Sequence, residues 1–455
     1  MIMFVFFLTD IFFFGVLTLL ILYSLYVYKT DDIRLTWVKV FSRKSGIISS
    51  LVLILFLLIT AIDSIHFKKR SNNAQTSEVI SLLDYLMEPI YINYEKSYSA
   101  PFSSYLYSKE TVINKEGKEE RVFSPLKYKG DLKNNVSNRL LNVILVFIKA
   151  FFISILIISM ILLSYLYFVS RLKLGSIINI KFTSNEKVFF VTLNIIIFLL
   201  SFLYLLSLDY YILGTDKIGL DVFYKSIKSI RTGIIIGTLT TIVMLPFAIF
   251  LGIAAGYLGG LFDDLIQYLY TTINSIPSVL LVASAILMLQ VYMSNNPGEF
   301  QSIYERADLR LFFLCLILGL TSWTGLCRLL RAESLKLKSV EYIKAAEIFG
   351  LKRISIIVRH FLPNLVHIVL ITIVLDFSGL VLAEAVLSYV NIGVDPTTYS
   401  WGNMINAARL ELSREPIVWW SLTAAFIFMF ILVLFANLFA DNVRDAFDPR
   451  AKINE

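Results

Sequence analysis

A chain of 455 residues that is 57% hydrophobic and only 16% charged cannot cover its apolar surface in water, since soluble domains carry about 25% charged residues. The 41 Lys and Arg against 34 Asp and Glu leave +7. That excess is modest and belongs in loops on one side of a membrane rather than on a nucleic-acid-binding face. Two cysteines, Cys315 and Cys327, and three histidines offer neither a disulfide framework nor a metal cluster. Composition therefore reads as an all-α, polytopic membrane protein.

Crossing about 30 Å of hydrocarbon takes about 20 residues of apolar helix, and nine segments qualify. They run roughly Ile2–Tyr28, Gly46–Ile65, Leu140–Val169, Val188–Leu208, Thr232–Tyr257, Leu265–Tyr292, Leu311–Leu330, Leu362–Leu387 and Ile417–Ala440. The first has no basic leader, no small-residue cleavage site and too long an apolar run for a signal peptide, so it reads as a retained span. Six stretches follow from this: N-terminal helices over 1–65, an extracytoplasmic loop or small subdomain over 66–139 and an inserted hairpin over 140–208. An outer segment over 209–230, a transmembrane core over 231–441 and a cytoplasmic tail over 442–455 complete the chain. The 66–139 stretch, rich in Tyr, Ser, Lys, Glu and Asn, fits either a partly ordered loop or a ligand-facing cap. No internal repeat is evident.

Loop charges orient the bundle. Lys29–Ser45 holds five Lys/Arg against two Asp, Ser170–Lys187 four against one Glu, and Arg328–His360 eight against three Glu. All three read as cytoplasmic, which places the N-terminus outside and the C-terminus inside the cell membrane. Lys68, Lys69 and Arg70 oppose that assignment, but their loop is longer than those to which the rule applies.

Charges within spans are few. Asp376 lies near the middle of the eighth span, where insertion costs about 2.5–3.5 kcal/mol. A place on a substrate pathway and an interhelical hydrogen bond explain it equally well. Glu384, eight residues on, falls on nearly the same face. Asp10 and Lys149 lie nearer helix ends and are expected to snorkel or pair. Pro277, inside the sixth span, is expected to kink it, for packing or as a hinge.

The most informative stretch is Glu341-Tyr-Ile-Lys-Ala-Ala-Glu-Ile-Phe-Gly350, followed by Leu-Lys-Arg-Ile-Ser-Ile-Ile-Val-Arg-His-Phe-Leu-Pro-Asn364. It predicts a short helix, a glycine stop and a second short helix, with proline opening a span. Ala345 and Ala346 allow close approach to another surface, Gly350 permits left-handed geometry, and Pro363 suits a first helical turn after Leu362. An ordinary basic loop would also be helical, but Ala-Ala-x-x-x-Gly with Leu-Pro twelve residues later is a specific spacing.

That stretch resembles the EAA loop of ABC importer permeases, and within them the C-type permease of the dipeptide and oligopeptide branch. The resemblance continues over about Leu213–Arg450. Leu213-Gly-Thr-Asp-Lys-Ile-Gly-Leu-Asp221 is similar to the branch's Leu-Gly-Thr-Asp-x-x-Gly-Arg-Asp, which carries over Gly214, Thr215, Asp216, Gly219 and Asp221. Ala255-Gly-Tyr-Leu-Gly-Gly-Leu-Phe-Asp263 and Ile276-Pro277-Ser278 follow. Leu382-Ala-Glu384-Ala-Val-Leu-Ser388, Ser400-Trp401-Gly402-Asn403-Met404 and Asn442-Val-Arg-Asp-Ala-Phe-Asp-Pro-Arg450 complete the series, in family order. Trp37–Ser45 is similar to the family's N-terminal helix.

The resemblance implies a type I importer core at about Arg231–Asp441. The chain would work with a second, B-type permease, two cytoplasmic ABC ATPases that bind ATP-Mg and an extracytoplasmic substrate-binding protein, and would move peptides inward. Glu341, Lys344, Ala345, Ala346, Glu347, Gly350, Leu362 and Pro363 would then couple to the ATPase, with the Ala346 face pressed against it. No phosphate-binding loop is present, so this chain is expected to be non-catalytic, to hold no cofactor or metal, and to meet lipid but no nucleic acid. Three departures stand out. Lys344 replaces the family's Glu, Leu220 replaces its Arg, and three spans are added to its six. A related permease for nickel or another metal chelate is the runner-up. A secondary transporter would need coupling charges in broken, repeated helices, and a membrane enzyme would need converging His, Asp or Cys.

Overall fold

In the computed structural model, residues 3–69, 78–113, 119–130, 139–173, 182–296, 298 and 302–447 are described. A short strand β1 (Met3–Val5) precedes helices α1 (Leu8–Lys29), α2 (Asp31–Ser42) and α3 (Lys44–Asp63). Strands β2 (His66–Lys69) and β3 (Glu78–Ser81), helices α4 (Leu82–Leu86) and α5 (Glu88–Tyr91), and strands β4 (Tyr105–Ile113) and β5 (Glu119–Pro125) come next. Two long helices follow, α6 (Arg139–Lys173) and α7 (Ser184–Asp209). The C-terminal half is helical: α8 (Val222–Leu258), α9 (Gly260–Ser275), α10 (Ser278–Asn295), α11 (Ile303–Lys338), α12 (Glu341–Ile348), α13 (Arg353–Ile356), α14 (Leu362–Tyr389), α15 (Trp401–Glu411) and α16 (Trp420–Phe447). Among the described residues nine helical segments are long and apolar enough to cross a membrane.

One expectation needs correction. The sixth span is not a kinked helix over Leu265–Tyr292. Pro277, with φ −56° and ψ 120°, is the N-cap of α10 and separates it from α9, which ends at Ser275. An X-Pro step disfavours helical geometry in the residue before it, and Ile276 is extended (ψ 129°). The break leaves α9 amphipathic and α10 as the span. Pro363 stands in the first turn of α14, as its fixed backbone geometry suits. A π-helical turn, Ile357–Phe361, joins α13 to α14 and carries Pro363 inside a helical run from Arg353 to Tyr389. The wider turn accommodates the ring that an α-helical interior would reject, and the Asn364 side chain donates to the His360 carbonyl at 2.6 Å.

The chain forms two compact units. The first comprises Met1–Met3, Phe41–Ile230 and Tyr399–Phe435. In it β2 pairs antiparallel with β3, and β4 with β5. Leu83, Met87 and Ile90 of α4 and α5 are buried with Leu220, Phe223 and Tyr224, flanked by Ile59, Ile62 and Leu203. The short helices therefore lie across the ends of three spans. Helices α6 and α7 pack as a hairpin with stacked and edge-on Phe147, Phe198 and Phe202. Residues 70–77, 114–118, 131–138 and 174–181 lie outside the described residues, so the 66–139 stretch and the Ser170–Lys187 loop are seen in part. The described portion of the former is hairpins and helical turns.

The second unit comprises Phe4–Val40, Arg231–Thr398 and Ala436–Glu455. Glycines let α8 approach α11. A Cβ on Gly252 would stand 2.7 Å from the Cys327 carbonyl oxygen, and one on Gly256 2.6 Å from that of Arg331. Close backbone contact of this kind replaces the hydrophobic drive that helices lack in lipid. Met244, Ala248, Ile253, Trp323, Leu330, Phe361 and Leu365 fill the core. Cys327 belongs to this core, and both it and Cys315 are free and buried. Trp37 stacks on Phe439.

Helix α1 is fixed to this unit by a buried polar network. Arg231 on α8 meets Asp10 at 2.5 Å and Asp308 on α11 at 3.8 Å. Thr9 bonds the Asp308 carboxylate through both its backbone N–H and its hydroxyl. Asp10 pairs rather than snorkels and is fully buried. Lys149 is exposed.

Candidate functional site

Helix α12 is built from helix-favouring residues, with Glu341 in its first turn, where negative charge suits the helix dipole. Ile343 and Ala346, three residues apart, face inward at 0% and 6% exposure. They join Tyr257, Leu330, Ile356, Phe361 and Leu365 in the core. The expectation that the Ala346 face meets a partner is thus corrected. Its small side chain seats α12 on its own unit, because a periodic apolar pair is drawn first to the nearest core. Ala345 is half-buried.

The helix ends in a Schellman motif. The Gly350 N–H bonds the Glu347 carbonyl at 3.0 Å and the Leu351 N–H bonds that of Ala346 at 3.2 Å. Gly350 has φ +73°, the geometry that an L-residue disfavours. The turn leaves Ile348 and Phe349 each 85% exposed, the residues that sequence reasoning passed over. Lys344, Glu341 and Glu347 are also exposed, and Lys344 has no ion-pair partner among the described residues. Tyr342 accepts from the Asn364 amide at 3.1 Å, linking α12 to the helix carrying Leu362 and Pro363. The apolar tip is a feature of tertiary placement; its one sequence signal was two large apolar residues directly before a glycine stop.

Asp263 braces this region, whereas Glu384 lies near the far end of α14. Asp263 on α9 takes a two-pronged hydrogen bond from Arg331 on α11, at 2.5 and 2.7 Å. That hydrogen bond, opposed by partial burial, holds the Asp263 carboxyl below its ordinary range. Arg331 had escaped notice as one basic residue among many. Glu384 is buried and accepts from the Ser388 hydroxyl at 2.7 Å. Ser388 Oγ in turn accepts the Val394 N–H at 3.3 Å, closing the turn after α14. Arg310 donates to the Gly393 carbonyl at 3.1 Å in the same corner. Asp376 is half-buried and has no hydrogen-bond or ion-pair partner among the described residues. It stands about 12 Å along the helix axis from Glu384 and about 80° away in helical phase.

In the first unit the Leu213–Asp221 landmark is a clamp. Gly214 (φ +68°) and Gly219 (φ +77°) turn the chain against the backbones of Ser99 and Glu95, where a side chain would collide. The Thr215 hydroxyl donates to the Ser97 carbonyl at 2.9 Å and accepts the Ser99 N–H at 2.6 Å. Asp216 accepts the N–H groups of Ile218 and Leu220 and pairs with Lys225 at 2.6 Å. Asp221 pairs with Lys129 at 2.9 Å, both side chains being buried. Burial pushes the Asp221 carboxyl up, against the Lys129 ammonium and backbone N–H groups that favour its charge. Leu220 lies in the apolar cluster with Leu83 and Ile90, which explains an apolar residue at that place. The buried Trp401 donates its indole N–H to the Ser226 carbonyl at 3.1 Å. Ser400 caps the Asn403 N–H at 3.0 Å, with Gly402 buried between them. Of the last landmark, Asn442–Phe447 closes α16, while residues 448–450 lie outside the described set.

Residues 248–453 match the family described as binding-protein-dependent transport system inner membrane component. The dipeptide transport system permease protein DppC of Lactococcus lactis is 30% identical over 243 residues, 53% of this chain and 65% of that protein. The oligopeptide transport system permease protein OppC of Haemophilus influenzae is 27% identical over 241 residues, 53% of this chain and 71% of its own length. The DppC protein of Bacillus subtilis is 27% identical over 239 residues, 52% and 68% respectively. The chain thus matches about two thirds of the length of these relatives, with its N-terminal half outside the match. The part of the chain that resembles binding-protein-dependent transport system inner membrane components is therefore its C-terminal part, residues 248–453.

Proposed function

We propose that this chain is the membrane-spanning permease subunit of an ATP-driven importer for peptides, and that it couples to a partner ATPase through Ser339–Arg359. The observation that carries the reading is the tip formed by Ile348 and Phe349, two apolar side chains 85% exposed beside a Schellman turn. Exposed apolar groups on a rigid turn are what a docking groove on another protein recognises. The loop charges favour a cytoplasmic position for this tip and an N-terminus outside. The relatives named as dipeptide and oligopeptide permeases favour peptides as cargo.

On this reading α12 rests on α8, α11 and α14 through Ile343 and Ala346, so movement of the tip passes to three spans at once. Closure of an ATP-bound ATPase dimer would shift those spans and alternate access to a pathway shared with a second permease, loaded by an external binding protein. ATP-Mg would be held by the ATPases, leaving this chain without catalysis. Asp376, half-buried and without a hydrogen-bond or ion-pair partner among the described residues, is the candidate pathway residue, where a carboxylate would favour a peptide's cationic amino terminus. The remaining landmarks are fold-determining. Uptake of a labelled oligopeptide into vesicles carrying the reconstituted complex tests this. Uptake should require both ATP and this chain, and excess unlabelled peptide should compete while a nickel chelate does not. Competition by the chelate alone would replace the peptide reading with the metal one.

A further inference from the structure

Helices α4 and α5 bury Leu83, Met87 and Ile90 against the ends of α3, α7 and α8. Their opposite face is largely apolar too: Tyr85, Leu86, Pro89, Ile92 and Tyr94 are exposed, and the first four line, with Glu88 and Asn93, a shallow concavity of about 390 Å³. An element apolar on both faces meets something other than water on each. Three observations identify the second medium. Helix α3 has 20 residues, about 30 Å and the thickness of a bilayer's hydrocarbon core, so Asp63 marks its polar boundary. Ser81, the N-cap of α4, bonds Asp63 at 2.6 Å, which holds Tyr85 and Leu86 within about one helical turn of that boundary. Phe67, on β2, lies 6.4 Å ring to ring from Tyr85, and its neighbour Lys68 is exposed. Tyrosine, aliphatic and lysine side chains at this depth match the composition of a membrane interface. The same placement accounts for a lysine that contradicts the loop-charge rule, because a lipid phosphate supplies its counter-charge.

We infer that Tyr85, Leu86, Pro89, Ile92 and Tyr94 form an interfacial anchor that seats among the lipid headgroups and upper acyl chains at the Asp63 end of the bundle. The occupant is the lipid surface itself.

Nitroxide labels at Leu86→Cys and Ile92→Cys test this, with Lys109→Cys on β4 as the aqueous control. The two native cysteines are buried, so the labels report their own positions. Collision rates with oxygen and with a water-soluble nickel chelate would be measured in vesicles of zwitterionic and anionic phospholipid. The chain would be studied alone and in the assembled importer. Oxygen should exceed the chelate several-fold at Leu86 and Ile92 in both states, with the order reversed at Lys109. Chelate-dominated collisions at both positions would overturn the anchor. So would loss of collisions with both reagents only on assembly, which would assign the face to another protein.

Discussion

Lys129 and Asp221 meet at 2.9 Å with side chains 2% and 0% exposed, and the ring of Tyr211 lies 4.4 Å from the ammonium. Two charges removed from water this completely are tolerable only together. Removing one partner of a buried pair typically costs about 3–5 kcal/mol, whereas replacing both with neutral groups is often harmless. Lys129→Met should therefore lower the thermal unfolding midpoint of the purified protein and open the β4–β5 hairpin to protease. Lys129→Met with Asp221→Asn should recover most of the loss. A single variant as stable as the parent would show that the pair does not hold the clamp. Glu95 adds to the same junction by accepting the N–H groups of Lys127 and Tyr128.

The docking of α1 follows a similar rule between helices. Asp10, Arg231 and Asp308 come from α1, α8 and α11, and Phe12 stacks on Phe312 with ring centroids 5.1 Å apart. Arg231→Met would leave two carboxylates facing each other without a cation in a low-dielectric site. Cysteines at positions 12 and 312 should cross-link efficiently in the parent background and poorly beside Arg231→Met. Undiminished cross-linking would mean that apolar packing alone seats the helix. Much of this architecture was legible in the sequence. Nine apolar segments stood out because hydrocarbon thickness sets a length that composition reveals directly, and Gly350 announced its left-handed turn because few other residues adopt one. The orientation of α12 was not legible. Ile343 and Ala346 on one side and Ile348 and Phe349 on the other are all apolar, and only the neighbouring helices decide which pair is covered. Pro277 misled for a related reason. Proline marks a disturbance of the helix, and tertiary packing decides between a break at Ile276 and a π turn at Ile357–Phe361.

Taken together, the family-matched half of the chain carries the tip and its supports, and the N-terminal half adds helices and a clamp around the Leu213–Asp221 landmark. That division explains why landmarks with similar spacing serve different ends. Gly214, Thr215 and Asp221 hold the clamp together, while Gly350 shapes the exposed Ile348–Phe349 tip, the surface proposed to meet a partner. The central claim is that force reaches the spans through that surface. Its most direct test is substrate-stimulated ATP hydrolysis by the reconstituted complex carrying Ile348→Asp and Phe349→Asp. Both side chains are exposed, so the double variant should insert, keep its melting profile and co-purify with the second permease. It should also lose ATPase association or stimulation by about thirtyfold or more, as a single hot-spot truncation of about 2 kcal/mol would give. Stimulated hydrolysis at the parental rate, with the ATPase still bound, would contradict the account.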